Sequence, residues 1–164
     1  MKPDLDVSAR RAGPDDLHIV LGLYRKLEAE MQDERSKWTI ADGLEEPVEE
    51  TLRQVLNDGS DRIYIGEVDG YPFGFVLGRS EALLPQADGR RVASIRMVFT
   101  EPEARGVGVG ELMRDALMED FLQDGYGLFD AHVLPGHRLA KNFFEAGGFS
   151  ARSIVMHHDI DRKR

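Results

Sequence analysis

Apolar positions along the chain follow two spacings, and together they predict a mixed order of helices and strands. Apolar residues recur every three or four positions, as in an amphipathic helix, within 14–31, 47–56, 109–121 and 137–146. Alternating or continuous apolar residues, as in strands, occupy 7–10, 62–68, 71–78, 91–99, 128–133 and an extended final segment at 149–160. This order predicts an α/β fold with a partly antiparallel sheet.

Turn residues separate these elements. Gly13-Pro14-Asp15-Asp16 opens the first helix, because proline suits the first helical position and the aspartates complement the helix dipole. Asp69-Gly70 predicts a tight hairpin between two strands. No repeat, low-complexity segment or linker interrupts the pattern, so we expect a single domain over residues 1–164.

Composition narrows the function classes. The 164 residues include no cysteine, which excludes disulfides, cysteine nucleophiles and cysteine-based zinc sites, and we expect no metal. We expect no membrane partner and a cytoplasmic location, because no long apolar run or signal-peptide pattern is present. The net charge of −9 argues against nucleic-acid binding. It fits an amine-bearing partner, or acidity that serves solubility alone.

The most informative stretch is Arg105-Gly106-Val107-Gly108-Val109-Gly110, between a predicted strand and a predicted helix. Glycines let a backbone approach a ligand closely, and a helix N-terminus favours an anion. The residues alone leave open a phosphate site or a plain tight turn. The spacing is not Gly-x-Gly-x-x-Gly, as in dinucleotide folds, and Gly110-Glu111-Leu112 does not match the end of a nucleotide-triphosphate P-loop.

Two motifs carry a family resemblance. The stretch from Arg105 to Gly110 fits the pattern Arg/Gln-x-x-Gly-x-Gly/Ala, and Pro102 precedes it. The second pattern, farther downstream, is Asn-x-x-Ala-x-x-Phe/Leu-Tyr-x-x-x-Gly-Phe. Six residues of this chain stand at its named positions: His137, Ala140, Phe143, Phe144, Gly148 and Phe149. Over nearly its whole length the chain resembles the GCN5-related N-acetyltransferase (GNAT) superfamily. That resemblance implies the acyl-CoA N-acyltransferase fold, with a mostly antiparallel mixed sheet, a splayed central strand pair and flanking helices.

The resemblance implies acetyl-CoA as the co-substrate. Backbone amides from Arg105 to Gly110 would hold its pyrophosphate, and the backbone of the strand before them would pair with its pantetheine arm. The residues expected at the cofactor are Val98, Thr100, Arg105, Gly106, Val107, Gly108, Val109, Gly110, His137 and Phe144. His137 and Phe144 also have structural interpretations, as a helix-start residue and as a core aromatic residue.

Three positions depart from the family pattern. Phe144 stands where many relatives carry a tyrosine acid, and a phenyl ring donates no proton. His137 stands where asparagine is common. Arg96 replaces a strand glutamate of several relatives, so it would bind an acceptor carboxylate or pair with a nearby glutamate such as Glu67.

His132 is the first candidate for the general base, because histidine titrates near neutral pH. Strand alternation puts it on the same side as Leu128 and Asp130, at a place where some relatives that acetylate peptide N-termini carry a glutamate. Glu67 is the second candidate. The alternative for His132 is an ordinary polar strand residue.

The acceptor region is the least specified. Within the polar stretch 32–46, Asp33, Glu34 and Trp38 would hold a cation or form an acidic surface loop. The expected function is transfer of an acetyl group to a primary amine, most simply of a small molecule. The alternatives are a protein N-terminus or lysine as acceptor, and a module that binds acyl-CoA without turnover. A homodimer through the final strand is also possible.

Overall fold

Five strands form one sheet in which the spatial order equals the chain order. The computed structural model describes residues 4–34, 43–134 and 136–162. Strands β1 to β4 pair antiparallel, and β5 pairs parallel to β4. Their bounds are β1 Val7–Arg11, β2 Arg62–Val68, β3 Tyr71–Ala82, β4 Arg91–Thr100 and β5 Phe129–Ala131. The mixed, mostly antiparallel sheet confirms the predicted fold class.

Within the ranges that the structure describes, four helices cover the two faces of this sheet. They are α1 Leu17–Glu34, α2 Val48–Asp58, α3 Val109–Gln123 and α4 Arg138–Ala146. The apolar stripes of α1 and α2 meet strand residues such as Ile65 and Phe75 on one face. Those of α3 and α4 meet Val76 and Ile95 on the other. Strands β2, β3 and β4 therefore direct alternate side chains into the two cores.

The β2–β3 hairpin forms where Asp69-Gly70 predicts it. Both turn residues have positive φ, 50° at Asp69 and 81° at Gly70. This conformation matches the right-handed twist of the flanking strands, and it suits glycine and aspartate. β3 continues to Ala82, beyond the predicted end at Gly78, because its polar residues still pair with β4.

A bulge in β4 decides where the sheet opens. Leu77 of β3 pairs with Met97, whereas the next residue, Gly78, pairs with Ile95, so Arg96 is the extra residue. On the other side, β5 pairs with β4 only from Ala93 to Ile95. Because a bulge bends its strand, β4 diverges from β5 after this point. The diverging pair is the splayed pair that the family resemblance implies.

Two strand predictions differ from the structure. The predicted strand 128–133 is paired only over Phe129–Ala131. The final segment 149–160 forms no strand within the described chain, and its large apolar residues are exposed: Ile154, Val155, Met156 and Ile160. Apolar and β-branched content predicts a strand, but a strand exists only when its backbone finds a hydrogen-bonding partner.

Among the helices of the described ranges, none is both long and apolar enough to span a bilayer.

Candidate functional site

The glycine turn before α3 has a backbone that favours glycine. Gly106 has a φ of 86° and Gly108 a φ of 92°, in the left-handed region. A Cβ atom built at either position would meet no heavy atom within 4 Å. Conformation, not crowding, therefore calls for glycine here, and the outer surface of the turn is open to a ligand.

The N-terminus of α3 follows directly from this turn. Gly108 is its N-cap, and no side chain of the described residues caps it. The first bond back into the turn runs from the Leu112 N–H to the Gly108 carbonyl, at 3.2 Å. The amides of Val109, Gly110 and Glu111 therefore have no partner inside the helix and carry its partial positive charge. Such an arrangement suits a phosphate group.

The Arg105 side chain holds the start of the turn. Its Nε donates to the Thr100 carbonyl at 2.9 Å, and its Nη2 donates to the Glu30 carboxylate of α1 at 2.8 Å and 3.0 Å. The guanidinium thus joins the end of β4 to α1. With this group engaged by the protein, the backbone amides are the donors that face the open turn.

The edge of β4 beyond the bulge offers free backbone groups. The N–H of Glu101 donates to Phe73 of β3 at 2.8 Å, so alternation turns the N–H groups of Val98 and Thr100 away from β3. No strand of the described chain pairs with this side beyond Ile95. The Thr100 carbonyl accepts a hydrogen bond from Arg105. The N–H of Thr100, and both the N–H and the carbonyl of Val98, are left open.

The aromatic residues of α4 pack beside this edge. A Cβ on Gly110 would lie 3.3 Å from the Phe143 ring, so α3 and α4 approach closely there. Phe144 is 4% exposed, within the core, and contacts Phe143 and Phe149 edge-to-face at 5.0 Å and 5.3 Å. His137 is the residue just before α4. Phe144 therefore packs in the core, behind the open edge of β4.

Two ion pairs lie along β3, β4 and β5, on the same face of the sheet as α1 and α2. Arg96 donates to Glu81 at 2.9 Å, and the Nε of Arg152 donates to Asp130 at 2.7 Å. The hydrogen bond to Asp130 raises the pKa of Arg152 above its ordinary value. The expected ion pair of Arg96 with a nearby glutamate is confirmed, but the partner is Glu81 of β3 and not Glu67.

Glu67 lies in a different part of the sheet. Its carboxylate accepts from the Nε of Arg10 at 3.0 Å and is largely buried. His132 is exposed and donates its N–H to Ile95 at 3.1 Å. Ile95, which accepts from His132, pairs with Gly78 of β3, and Gly78 pairs with Arg62 of β2. Glu67 is about 16 Å from Arg62 along β2 at the usual rise per residue. The structure does not bring the two base candidates together.

Several residues beside the opening between β4 and β5 escaped sequence reasoning. Asp130 appeared only as a neighbour of His132 by alternation, although an acidic residue on that side was a usable signal. Glu81 and Arg152 gave no signal, because they reach the site through β3 pairing and through a segment after α4. Asp33 is exposed near the end of α1. Trp38 lies outside the described residues, as does the side chain of Glu34.

Comparisons with known proteins agree with this geometry. The model of the Acetyltransferase (GNAT) family matches residues 24–149. An uncharacterized N-acetyltransferase of Methanocaldococcus jannaschii is 25% identical over 104 residues, which are 63% of this chain. This chain spans about half, 46%, of that relative's length.

Solved structures share the fold. Aminoglycoside acetyltransferase AAC(6')-Iy, in complex with the bisubstrate analogue CoA-S-monomethyl-acetylneamine, superposes with a TM-score of 0.75 at 19% identity, over 97% of this chain and 99% of that one. The ribosomal-protein-alanine N-acetyltransferase of Brucella melitensis biovar Abortus 2308 superposes with a TM-score of 0.65 at 17% identity, over 95% and 100%. AAC(6')-Iy has also been solved with CoA. With its family model, its fold and its glycine turn in agreement, this chain belongs to the GNAT acetyltransferase family.

Proposed function

We propose that this protein is an acetyl-CoA-dependent N-acetyltransferase that acts on a primary amine of a small molecule. One observation carries the proposal. The open edge of β4 runs from the glycine turn, at its end, to the bulge beside His132, at its middle. A long thin ligand with a phosphate group at one end fits such a groove, and an acceptor can approach the other end.

The residues present fit acetyl-CoA. The turn at Gly106 and Gly108 has free space on its outer side, and the uncapped amides of α3 favour the pyrophosphate. The backbone groups of Val98 and the Thr100 N–H can pair with amides of the pantetheine arm, as an added strand would. When bound, acetyl-CoA supplies an activated thioester carbonyl.

His132 is the group that we assign to the proton of the attacking amine. Attack requires a neutral amine, so a base, or a base acting through water, must take a proton from the ammonium. His132 is exposed at the point where β4 and β5 separate. The Val98 N–H, which faces the same opening, is our candidate for stabilising the carbonyl oxygen.

Glu67 is the weaker base candidate. It neutralises Arg10, which also forms two bonds to Asp16 at 2.9 Å, so its carboxylate belongs to an ion-pair network between β1, β2 and the start of α1. Phe144 supplies no acid for the leaving sulfur. We therefore assign the proton that His132 takes from the amine to the leaving sulfur.

The choice of acceptor rests on charge and on structural neighbours. The carboxylates of Glu81 and Asp130 lie on the face that would receive an amine. Neighbours in fold include aminoglycoside acetyltransferases, which favours a small polar amine. A protein N-terminus is the second candidate, and the Brucella ribosomal-protein-alanine enzyme is the observation in its favour. The third candidate function is acyl-CoA binding without turnover, and it is motivated by the departures from the family pattern at Phe144 and Arg96.

A thiol-release assay separates these possibilities. The purified protein is incubated with acetyl-CoA and three acceptor sets: small amines that include sisomicin, peptides that begin with alanine, and lysine peptides with blocked N-termini. CoA affinity is measured in parallel by calorimetry. We expect turnover with small amines. CoA binding without acetylation of any acceptor at any pH would contradict the enzyme proposal, and peptide-only turnover would replace its acceptor.

The final segment suggests how two copies would meet. Ile154, Val155 and Met156 are 77–89% exposed, and no strand of the described residues pairs with the outer edge of β5. We propose that this segment pairs with a second copy, because exposed β-branched backbone without a partner favours strand addition. Light scattering after gel filtration should give twice the monomer mass, and Val155→Asp should give the monomer mass.

A further inference from the structure

Asp130 already holds a cation on the acceptor face. Its carboxylate accepts from Nε and Nη2 of Arg152, and its side chain is 16% exposed. Arg152 comes from the segment after α4, and its own side chain is 64% exposed. Glu81 lies close enough to contribute to the raised pKa of Arg152. The carboxylates of Asp130 and Glu81 therefore favour a planar or tetrahedral cation in the position that the Arg152 guanidinium occupies.

The Arg152 contact is easily exchanged. Within the described chain, residues 150–158 make no other hydrogen bond or ion pair to the rest of the protein. The guanidinium is held by a flexible side chain on an exposed segment, and exposed ion pairs contribute little free energy. A ligand cation can therefore replace Arg152 without disturbing either core.

Two further features lie at this place. A cavity of about 500 Å³ lies next to Asp130, between β5 and the residues after α4, with Leu128, Phe149 and Arg152 among its lining residues. Ser94 stands beside Asp130 in the β4–β5 register, is 0% exposed, and its hydroxyl has no partner among the described residues. That hydroxyl can donate to Asp130 when Arg152 leaves.

The spacing between Asp130 and His132 sets the class of ligand. Asp130 and His132 share one side of the strand, two residues apart, which corresponds to about 7 Å. An acceptor with two amines can therefore place one at Asp130 and the other at His132. We propose that Asp130 binds a second cationic group of the acceptor, in place of Arg152, so that the enzyme prefers diamines with two nitrogens about 7 Å apart. This inference rests on the proposed function for the identity of the reacting amine.

Calorimetry with 1,4-diaminobutane and n-butylamine, in the presence of CoA, tests the site without requiring turnover. We expect the diamine to bind about tenfold more tightly than the monoamine. Asp130→Asn should remove that preference, and Arg152→Ala should strengthen diamine binding about threefold by removing the competing cation. The double variant should behave like Asp130→Asn. Arg53→Ala, which removes another exposed ion-paired arginine on α2, is the matched control and should change nothing.

Steady-state kinetics give the second readout. Asp130→Asn should raise the KM for the diamine and leave kcat and the CoA affinity nearly unchanged, since it acts on binding of the remote cation. Equal affinity of the wild-type protein for both amines, or a preference that survives in Asp130→Asn, would overturn the inference. Diamine binding that depends on Asp130 in a protein that acetylates no amine would support this site and contradict the proposed function instead.

Discussion

The proposed donor side and the proposed acceptor side of this protein are built from different groups. On the donor side, the groups that we propose to face the ligand are backbone amides, placed by two glycines of positive φ and by the bulge in β4. On the acceptor side they are side chains, Arg96 with Glu81 and Arg152 with Asp130, each neutralised within the protein. Backbone sites depend on conformation and tolerate changes of side chain, whereas side-chain sites change their ligand with single substitutions. The first should fix the co-substrate and the second should set the acceptor.

Gly108→Asp should break the donor side and cause the largest effect. It places a carboxylate where the pyrophosphate is proposed to lie, so CoA affinity should fall on the order of 100-fold or more. Gly108→Asn, of the same size without the charge, should lose less. Gly59→Asp is the control for strain, because Gly59 has a similar φ of 79° and open space. Equal CoA affinity in Gly108→Asp and wild type would contradict the donor site.

His132→Gln should break the link between the two sides. We expect kcat to fall about 100-fold, because a general base contributes on this scale. The acidic limb of the pH–rate profile should flatten, while calorimetric CoA affinity stays the same. A variant with the wild-type pH profile would exclude His132 as the base, and the same measurement on Glu67→Gln would then test the other candidate.

Phe144→Leu should sharpen the boundary of the donor side. The residue is buried among Phe143, Phe149 and the α3 core, so we expect a loss of about 1 kcal/mol in the free energy of unfolding. CoA affinity, measured well below the unfolding temperature, should change less than twofold. A larger loss of CoA affinity with little change in stability would instead show Phe144 to be a cofactor contact.

Tyr64 lies on neither the donor side nor the acceptor side, and its substitution has the smallest expected effect. Burial and the 2.8 Å hydrogen bond to Asp120 raise the pKa of Tyr64 to about 12. The unfolded chain ionises this tyrosine near pH 10, whereas the folded chain keeps it neutral, so stability falls as pH rises from 10 to 12. Thermal melts of Tyr64→Phe should show a shallower decline over that range. Identical slopes in the two proteins would exclude this contribution, and CoA affinity should not change.

The sequence predicts the donor side better than the acceptor side for a physical reason. The hairpin at Asp69-Gly70 and the turn from Arg105 to Gly110 are local, and their residues encode the backbone conformation directly. The bulge at Arg96, its pairing with Glu81 and the contact of Arg152 with Asp130 all depend on long-range register. A one-residue shift in pairing redirects a side chain to another partner, and no local pattern reports it. Because pairing is not encoded locally, the apolar residues of 149–160 predict a strand that finds no partner within the described chain.

Residue-resolved amide exchange with and without CoA tests the central claim most directly. We propose that backbone N–H groups on the open edge of β4 and at the start of α3 bind the co-substrate. CoA should slow exchange at Val98, Thr100, Val109 and Gly110 about tenfold or more. The intervening Phe99 amide, which faces β3, should not change. Slow exchange at Val98 and Thr100 in the free protein, or no slowing when CoA is bound, would contradict the account.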